Sequence, residues 1–371
     1  MSPQSKLFAP TTVGALELDH RIVMAPLTRF RAGADGVPAP DAVKYYGQRA
    51  SKGGLQITEG SIISQEAGGY PHVPGLWSKE QIEGWKPVTA AVHAKGGKIV
   101  VQLAALGRVA DPKIVDKVVA PSDIPLPGGP QTLHVLTEED IDRYVESFAQ
   151  AARNANEAGF DAVEAHFASG YLGDLFIQTV SNKRTDSYAA STFKFPLRVI
   201  EAFSNVVGAD RVGLKISPFS DFQGMREAKP LDTFVPLVDK ILGAYPKLAY
   251  VHAVEPRVNG FDIKEDVGDD TLEPIRQLVK EKGQGTKFIV AGGYTPEGAI
   301  AHAEATDDLI AIGRYFISNP DMVYRIKNGY PLGEYNRDTF YSPGPVGYID
   351  YPEYNAIKQD HGADAIAPAT A

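Results

Sequence analysis

The chain has 371 residues, 43% of them hydrophobic and 22% charged, which is ordinary globular usage and excludes a disordered chain. Its 46 acidic against 37 basic residues give a net charge of −9, which disfavours nucleic acid or an anionic membrane held by bulk charge. Without any cysteine, thiolate catalysis, disulfides, iron–sulfur clusters and thiolate zinc sites are all excluded.

Taken from the N-terminus, residues 1–10 contain no apolar export segment, and no later stretch reaches the roughly 18 apolar residues of a membrane span. A cytoplasmic protein without a membrane partner is the expectation. Short β-branched runs then alternate with amphipathic stretches. The predicted strands are Arg21–Met24, Leu55–Ile57, Lys98–Leu103, Ala162–His166, Val212–Ile216, Ala249–Ala253, Lys287–Ala291 and Leu309–Ile312. Several are continuous apolar runs, as strands buried on both faces should be. The predicted helices between and after them are Pro40–Lys52, Gln81–Lys95, Thr137–Ala158, Pro196–Val207, Leu231–Ala244, Thr271–Glu281, Pro296–Ala305 and Pro320–Lys327. The clearest opens with a capping box, Thr137 to Asp140, carries Ile141, Tyr144, Val145, Phe148 and Ala152 on one face, and closes at Gly159.

Eight such pairs predict an α/β fold, a single (β/α)8 barrel over residues 1–361 with a flexible tail at 362–371. A doubly wound sheet lacks its Gly-x-Gly-x-x-Gly fingerprint here. In a barrel the chemistry belongs at the C-terminal strand ends, which selects the residues that matter. Gly292-Gly293 and Gly313-Arg314 follow strands seven and eight, the usual place for backbone N–H groups and an arginine to hold a phosphate. A flavin also needs a donor–acceptor group at its pyrimidine edge, which Gln102 suits, and a cation near N1, which Lys215 suits. His166, Ser169 and Tyr171 leave strand four close enough together to polarise a carbonyl and deliver a proton. His252, at the end of strand six, reads as structural.

These residues resemble the Old Yellow Enzyme family of FMN-dependent ene-reductases from Leu7 to Tyr354. The likeness rests on Arg21-Ile-Val-Met-Ala-Pro-Leu-Thr-Arg29, Gln102-Leu103 with Leu106-Gly-Arg108, His166 with Gly170-Tyr-Leu172, Asn182-Lys-Arg-Thr-Asp186, Ala291-Gly-Gly-Tyr294 and Ala311-Ile-Gly-Arg-Tyr-Phe316. The resemblance implies FMN held by Pro26, Leu27, Thr28, Gly60, Gln102, Lys215, Gly292, Gly293, Gly313 and Arg314. It implies that NADPH or NADH reduces the flavin, which passes hydride to the β-carbon of an α,β-unsaturated carbonyl compound while His166 grips the oxygen and Tyr171 protonates the α-carbon. A monomer or homodimer is expected.

Departures concentrate on the substrate side. Ser169 replaces the family's Asn or His, Lys215 replaces arginine, and Ala104 and Ala105 stand where bulkier side chains narrow the pocket. Tyr348 and Tyr351 are candidate pocket residues from the C-terminal loop. The expected activity is reduction of a bulky enone or enal. The alternatives are a redox-neutral isomerisation or cyclisation on the same fold, and a flavin-storing scaffold without catalysis.

Overall fold

The structure is a computed structural model that describes residues 5–260 and 262–354. The expected boundary at 361 and the tail at 362–371 lie outside the described residues. Eight parallel strands close a barrel: β1 (Ile22–Met24), β2 (Leu55–Ile62), β3 (Lys98–Ala104), β4 (Ala162–Phe167), β5 (Val212–Ile216), β6 (Tyr250–Val254), β7 (Lys287–Ala291) and β8 (Leu309–Ile312). Each pairs with its sequence neighbours, and β8 pairs with β1 to complete the ring. The outer helices are α1 (Pro40–Arg49), α2 (Lys79–His93), α3 (Glu138–Glu157), α4 (Lys194–Val207), α5 (Pro230–Ala244), α6 (Glu273–Lys282), α7 (Pro296–Ala305) and α8 (Met322–Asn328).

The local signals act as expected in α3. Thr137 accepts from the Asp140 N–H and the Asp140 carboxylate accepts from the Thr137 N–H at 2.8 Å, while Gly159 adopts φ +87° just beyond the last turn. Phe148 then meets Phe167 of β4 and Phe195 and Phe203 of α4, with ring centroids 5.8–6.4 Å apart. Each large side chain buried this way contributes about 1.5–3 kcal/mol. Helix α2 starts two residues before the predicted position, because Ser78 and Gln81 form a second capping box.

Two features differ from the expected elements. Strand β2 runs on to Ile62 through a register shift between Ile57 and Gly60. This bulge turns the Glu59 carboxylate out of the ladder, where it accepts the Arg29 backbone N–H at 3.0 Å. A hairpin, Thr11–Val13 with Leu16–Leu18, precedes the barrel. Its Val13, Leu16 and Leu18 join Val23, Ile57 and Tyr250 in an apolar cluster that plugs the N-terminal end of the lumen. The opposite end is left for ligands.

Candidate active site

The exits of β1, β5, β7 and β8 surround a cavity of about 700 Å³. Eight of the residues expected to bind or react line it: Pro26, Leu27, Ser169, Lys215, Gly292, Gly293, Gly313 and Arg314. Thr28 stands beside them, half-buried at the β1 exit. Side chains would close the glycine cradle. A Cβ at Gly292 would lie 2.5 Å from the Glu255 Cβ, and one at Gly293 2.8 Å from the Ile263 side chain. Gly293 also takes φ +63°, which a side chain disfavours. The Arg314 guanidinium reaches within 3.9 Å of that same Gly293 position. Bare backbone with an arginine fork beside it fits the phosphate of FMN.

Gly60, Gln102, Ala104 and His166 lie outside that lining, on the strands β2, β3 and β4 next to it. Gly60 pairs with Gln102, Gln102 with Glu164, and His166 with Lys215, so the register alone gathers these positions. The point where a Gly60 Cβ would sit is 3.5 Å from Gln102 Oε1, 3.7 Å from the Ala104 Cβ and 3.8 Å from His166 Cδ2. Behind these residues Glu164, wholly buried, accepts from Gln102 Nε2 at 2.6 Å and from His252 Nδ1 at 2.8 Å. Burial alone would push the Glu164 carboxyl up, but His252, Lys215 and the Gln102 amide outweigh it and hold the group below the usual carboxylate range. Burial pulls the Lys215 ammonium down from its ordinary value, against the attraction of Glu164.

His166 is buried, and its Nδ1 has no hydrogen-bond partner. Burial, reinforced by the Lys215 charge, lowers its pKa to about 3. The ring is therefore neutral at working pH. Below its ordinary value of about 6.5 the unfolded chain binds a proton that the folded one refuses, so this group's stabilising contribution fades as pH falls from there toward about 3. Catalysis should not need an imidazolium: kcat/KM for a neutral enone is expected to show no inflection from His166 between about pH 5 and 8. A loss of activity with an apparent pKa near 6.5 as pH rises, absent from a His166→Asn variant, would contradict this.

Tyr171 follows on the turn after β4, its ring centroid 4.9 Å from that of His166. Burial, then the neighbouring Tyr70, push its hydroxyl far above the usual phenol range. The Tyr70 ring packs edge-on to that of Tyr171 at 6.4 Å between centroids, and the Gln223 side chain acts on the same hydroxyl. Neither was singled out in the sequence. Gln223 sits at φ +60° on the β5–α5 connection, which the buried Arg108 anchors by donating to the Gln223 carbonyl at 2.8 Å and to the Ile124 carbonyl at 3.1 Å. The long 109–135 connection is thus tied to the mouth, and Lys183 N–H donates to Ser122 Oγ at 2.8 Å to pin it again. Phe30, Tyr70 and Tyr341 complete an aromatic side of the mouth, Phe30 lying 6.0 Å from Tyr70 and 5.5 Å from Tyr341.

Other expected pocket residues are placed elsewhere. Tyr348 is buried and stacks on Tyr45 at 4.1 Å, behind β1 and β2 and away from the cavity. The Tyr351 hydroxyl accepts the Asn336 N–H at 3.1 Å and does not line the mouth either. Tyr335, Phe340 and Tyr341 from the same segment line it instead. Their position is set by Arg29 and Arg31, whose guanidinium groups donate to the carbonyls of Phe340, Gly344 and Gly347 at 2.7–3.1 Å. Ala104 does face Gly60 and His166, whereas Ala105 contributes its carbonyl, which accepts from the Leu172 N–H at 3.0 Å.

Bare glycine backbone with an arginine, an amide, a cation and a histidine–tyrosine pair at one barrel mouth fit what a flavin mononucleotide-dependent oxidoreductase needs. Residues 6–333 match the NADH:flavin oxidoreductase / NADH oxidase family. The chain is 44% identical to the NADP-dependent oxidoreductase lnbE of Aspergillus flavus over 94% of its own length and 96% of that protein's. It is also 44% identical to the chanoclavine-I aldehyde reductase fgaOx3 of Penicillium roqueforti, with the same coverage. The solved structure of morphinone reductase superposes with a TM-score of 0.86 at 36% identity, covering 99% of this chain and 100% of that one. The chain belongs to this family, that of Old Yellow Enzyme. It is an NAD(P)H-dependent flavin ene-reductase with FMN as its cofactor. No helix among the described residues is long and apolar enough to cross a membrane.

Proposed function

We propose that the substrate is a bulky α,β-unsaturated carbonyl compound, reduced at its C=C bond, with His166 gripping the oxygen and Tyr171 protonating the α-carbon. The observation that carries this reading is the ring contact of His166 with Tyr171 one strand from Lys215, which lines the same cavity as Gly292, Gly293 and Arg314. Arg314 and the glycines would hold the phosphate of FMN, Gln102 would meet its pyrimidine edge and Lys215 would supply positive charge beside it. The chemistry that bound FMN supplies is two-electron transfer, taken from the nicotinamide and returned to the alkene as hydride. The His166 N–H stabilises the negative charge that grows on the carbonyl oxygen as the β-carbon accepts hydride. Tyr171 then gives its proton to the α-carbon, so one hydride and one proton saturate the bond. Ala104, small where it faces Gly60 and His166, leaves width for a large substrate. We place the reaction in the cytoplasm, where reduced nicotinamides are regenerated, in a monomer or homodimer. A redox-neutral isomerisation or cyclisation has less support, because relatives such as the chanoclavine-I aldehyde reductase and morphinone reductase are reductases.

The test is stoichiometry in D2O. Each NADPH consumed should yield one saturated carbonyl product carrying deuterium at the α-carbon. Rearranged product formed without consumption of NADPH would establish the redox-neutral reaction instead.

Ser169 lines the cavity with its backbone at φ +61°, a left-handed conformation that asparagine tolerates better than serine. Ser169→Asn should therefore fold without strain and add a second donor to the substrate oxygen. Affinity for a phenolic inhibitor is expected to rise about five- to tenfold, as one added hydrogen bond would give. An unchanged inhibition constant would show that position 169 does not reach the oxygen.

A further inference from the structure

We propose that the buried Glu164–His252 pair is a positioning device that fixes the amide of Gln102 with its oxygen toward the mouth, so that the site presents an acceptor to the N3–H of the flavin. This rests on the flavin reading of the site. Glu164, wholly buried, contacts Gln102 through the atom 2.6 Å from Oε1 of the carboxylate. An ionised carboxylate has no proton to give, so only the amide NH2 can face it. That leaves Gln102 Oε1 on the opposite side, where it lies 3.5 Å from the position of a Gly60 Cβ, on the side shared with His166. An amide can be read either way round from its shape alone, but its partner removes the ambiguity here.

His252 completes the device from two strands away. It faces the other carboxylate oxygen through Nδ1 at 2.8 Å, so its proton must sit on that nitrogen, and both members are wholly inaccessible to solvent. Glu164 cannot rotate without breaking this bond or the one to Gln102. The register Gln102↔Glu164 and Glu164↔Gly213 places the carboxylate between two strands. Tyr250 fills the room left by Gly213, where a Cβ would come within 2.1 Å of its ring. The pair touches neither cavity nor solvent, and apart from the charge that Lys215 and His166 feel, its contact with the mouth passes through Gln102. A purely structural ion pair would support the barrel without selecting which amide atom faces outward.

The two roles are separable with 3-methyl-FMN, which lacks the N3 proton. Holoprotein is incubated with graded 3-methyl-FMN and the displaced FMN is measured by its fluorescence. Wild type should prefer FMN by about 5- to 150-fold, since an unpaired buried acceptor costs about 1–3 kcal/mol. In Glu164→Gln the neighbouring amide can donate as well as accept, so Gln102 is free to turn, and the preference should shrink to within about threefold by the same reckoning. His252→Asn frees the carboxylate from one side and should give an intermediate preference, and it carries the test alone if Glu164→Gln does not fold. A preference equal to that of wild type in the folded variant, even with lowered melting temperature, overturns the positioning role and leaves the flavin site standing. Wild type that holds no FMN would overturn the flavin reading, and this inference with it.

Discussion

Replacing Tyr171 with phenylalanine is expected to slow reoxidation of the reduced enzyme by an enone about 100- to 10,000-fold while leaving its reduction by NADPH unchanged. The hydroxyl is protonated at any working pH, because burial and Tyr70 both disfavour its anion. It can therefore serve as an acid, and the hydroxyl of the neighbouring Tyr70 is a group that can relay a proton back to it. The phenylalanine ring keeps the contact with His166, whose centroid lies 4.9 Å away, so pocket shape is conserved and only the proton is lost. Anaerobic stopped-flow spectroscopy separates the two half-reactions. Equal slowing of both would point to a general disturbance of the mouth, and no slowing of either would assign the proton to another group.

The second large effect belongs to His166. Alanine at this position should lower kcat/KM for enones about 100- to 1000-fold, the loss expected for one oxyanion donor in a desolvated site. Binding of a phenolic ligand, read from its long-wavelength absorption with the flavin, should weaken in parallel. His166→Asn keeps a donor near the same place and should recover part of both losses. Since Tyr171 leans on the imidazole, the alanine variant also frees that ring, and the asparagine variant tells the two effects apart. Activity retained in the alanine variant would show that the oxygen is gripped from Ser169 or from the aromatic side of the mouth.

The barrel was legible because most strands carried their own apolar run and three of the outer helices, α2, α3 and α7, open on a side-chain cap. Thr137 to Asp140, Gly159 and the glycines after β7 are local signals, and each is found where its spacing indicated. What was hidden depends on residues distant in sequence. Tyr348 looked free to reach a ligand, yet it is taken by Tyr45 on α1, and Arg49 on the same helix donates to its carbonyl at 3.1 Å. No local pattern announces such a contact. The hairpin at Thr11–Leu18 has strands of three residues, too short for a period to show. The extension of β2 depends on a bulge at Thr58-Glu59, whose carboxylate is satisfied by Arg29 on another strand exit.

Glu164 is a different case. It precedes His166 by two residues on one strand, and the alternation of side chains places both on the inner face. That signal was available locally. Only the partners, Gln102 at 62 residues' distance and His252 at 88, required the fold. His252, read from sequence as structural, lies in the barrel interior against Glu164 with no contact to the mouth of its own.

One titration decides whether the bound flavin passes its electrons to an unsaturated carbonyl compound. Under argon, the yellow holoprotein is bleached with one equivalent of NADPH, and a large cyclic enone is then added in small portions. Full recovery of the visible flavin absorption at one equivalent, with the saturated ketone as the product, is the expected result. A protein that carries no flavin, or one whose bleached form is restored only by oxygen and by no unsaturated carbonyl compound, would contradict it.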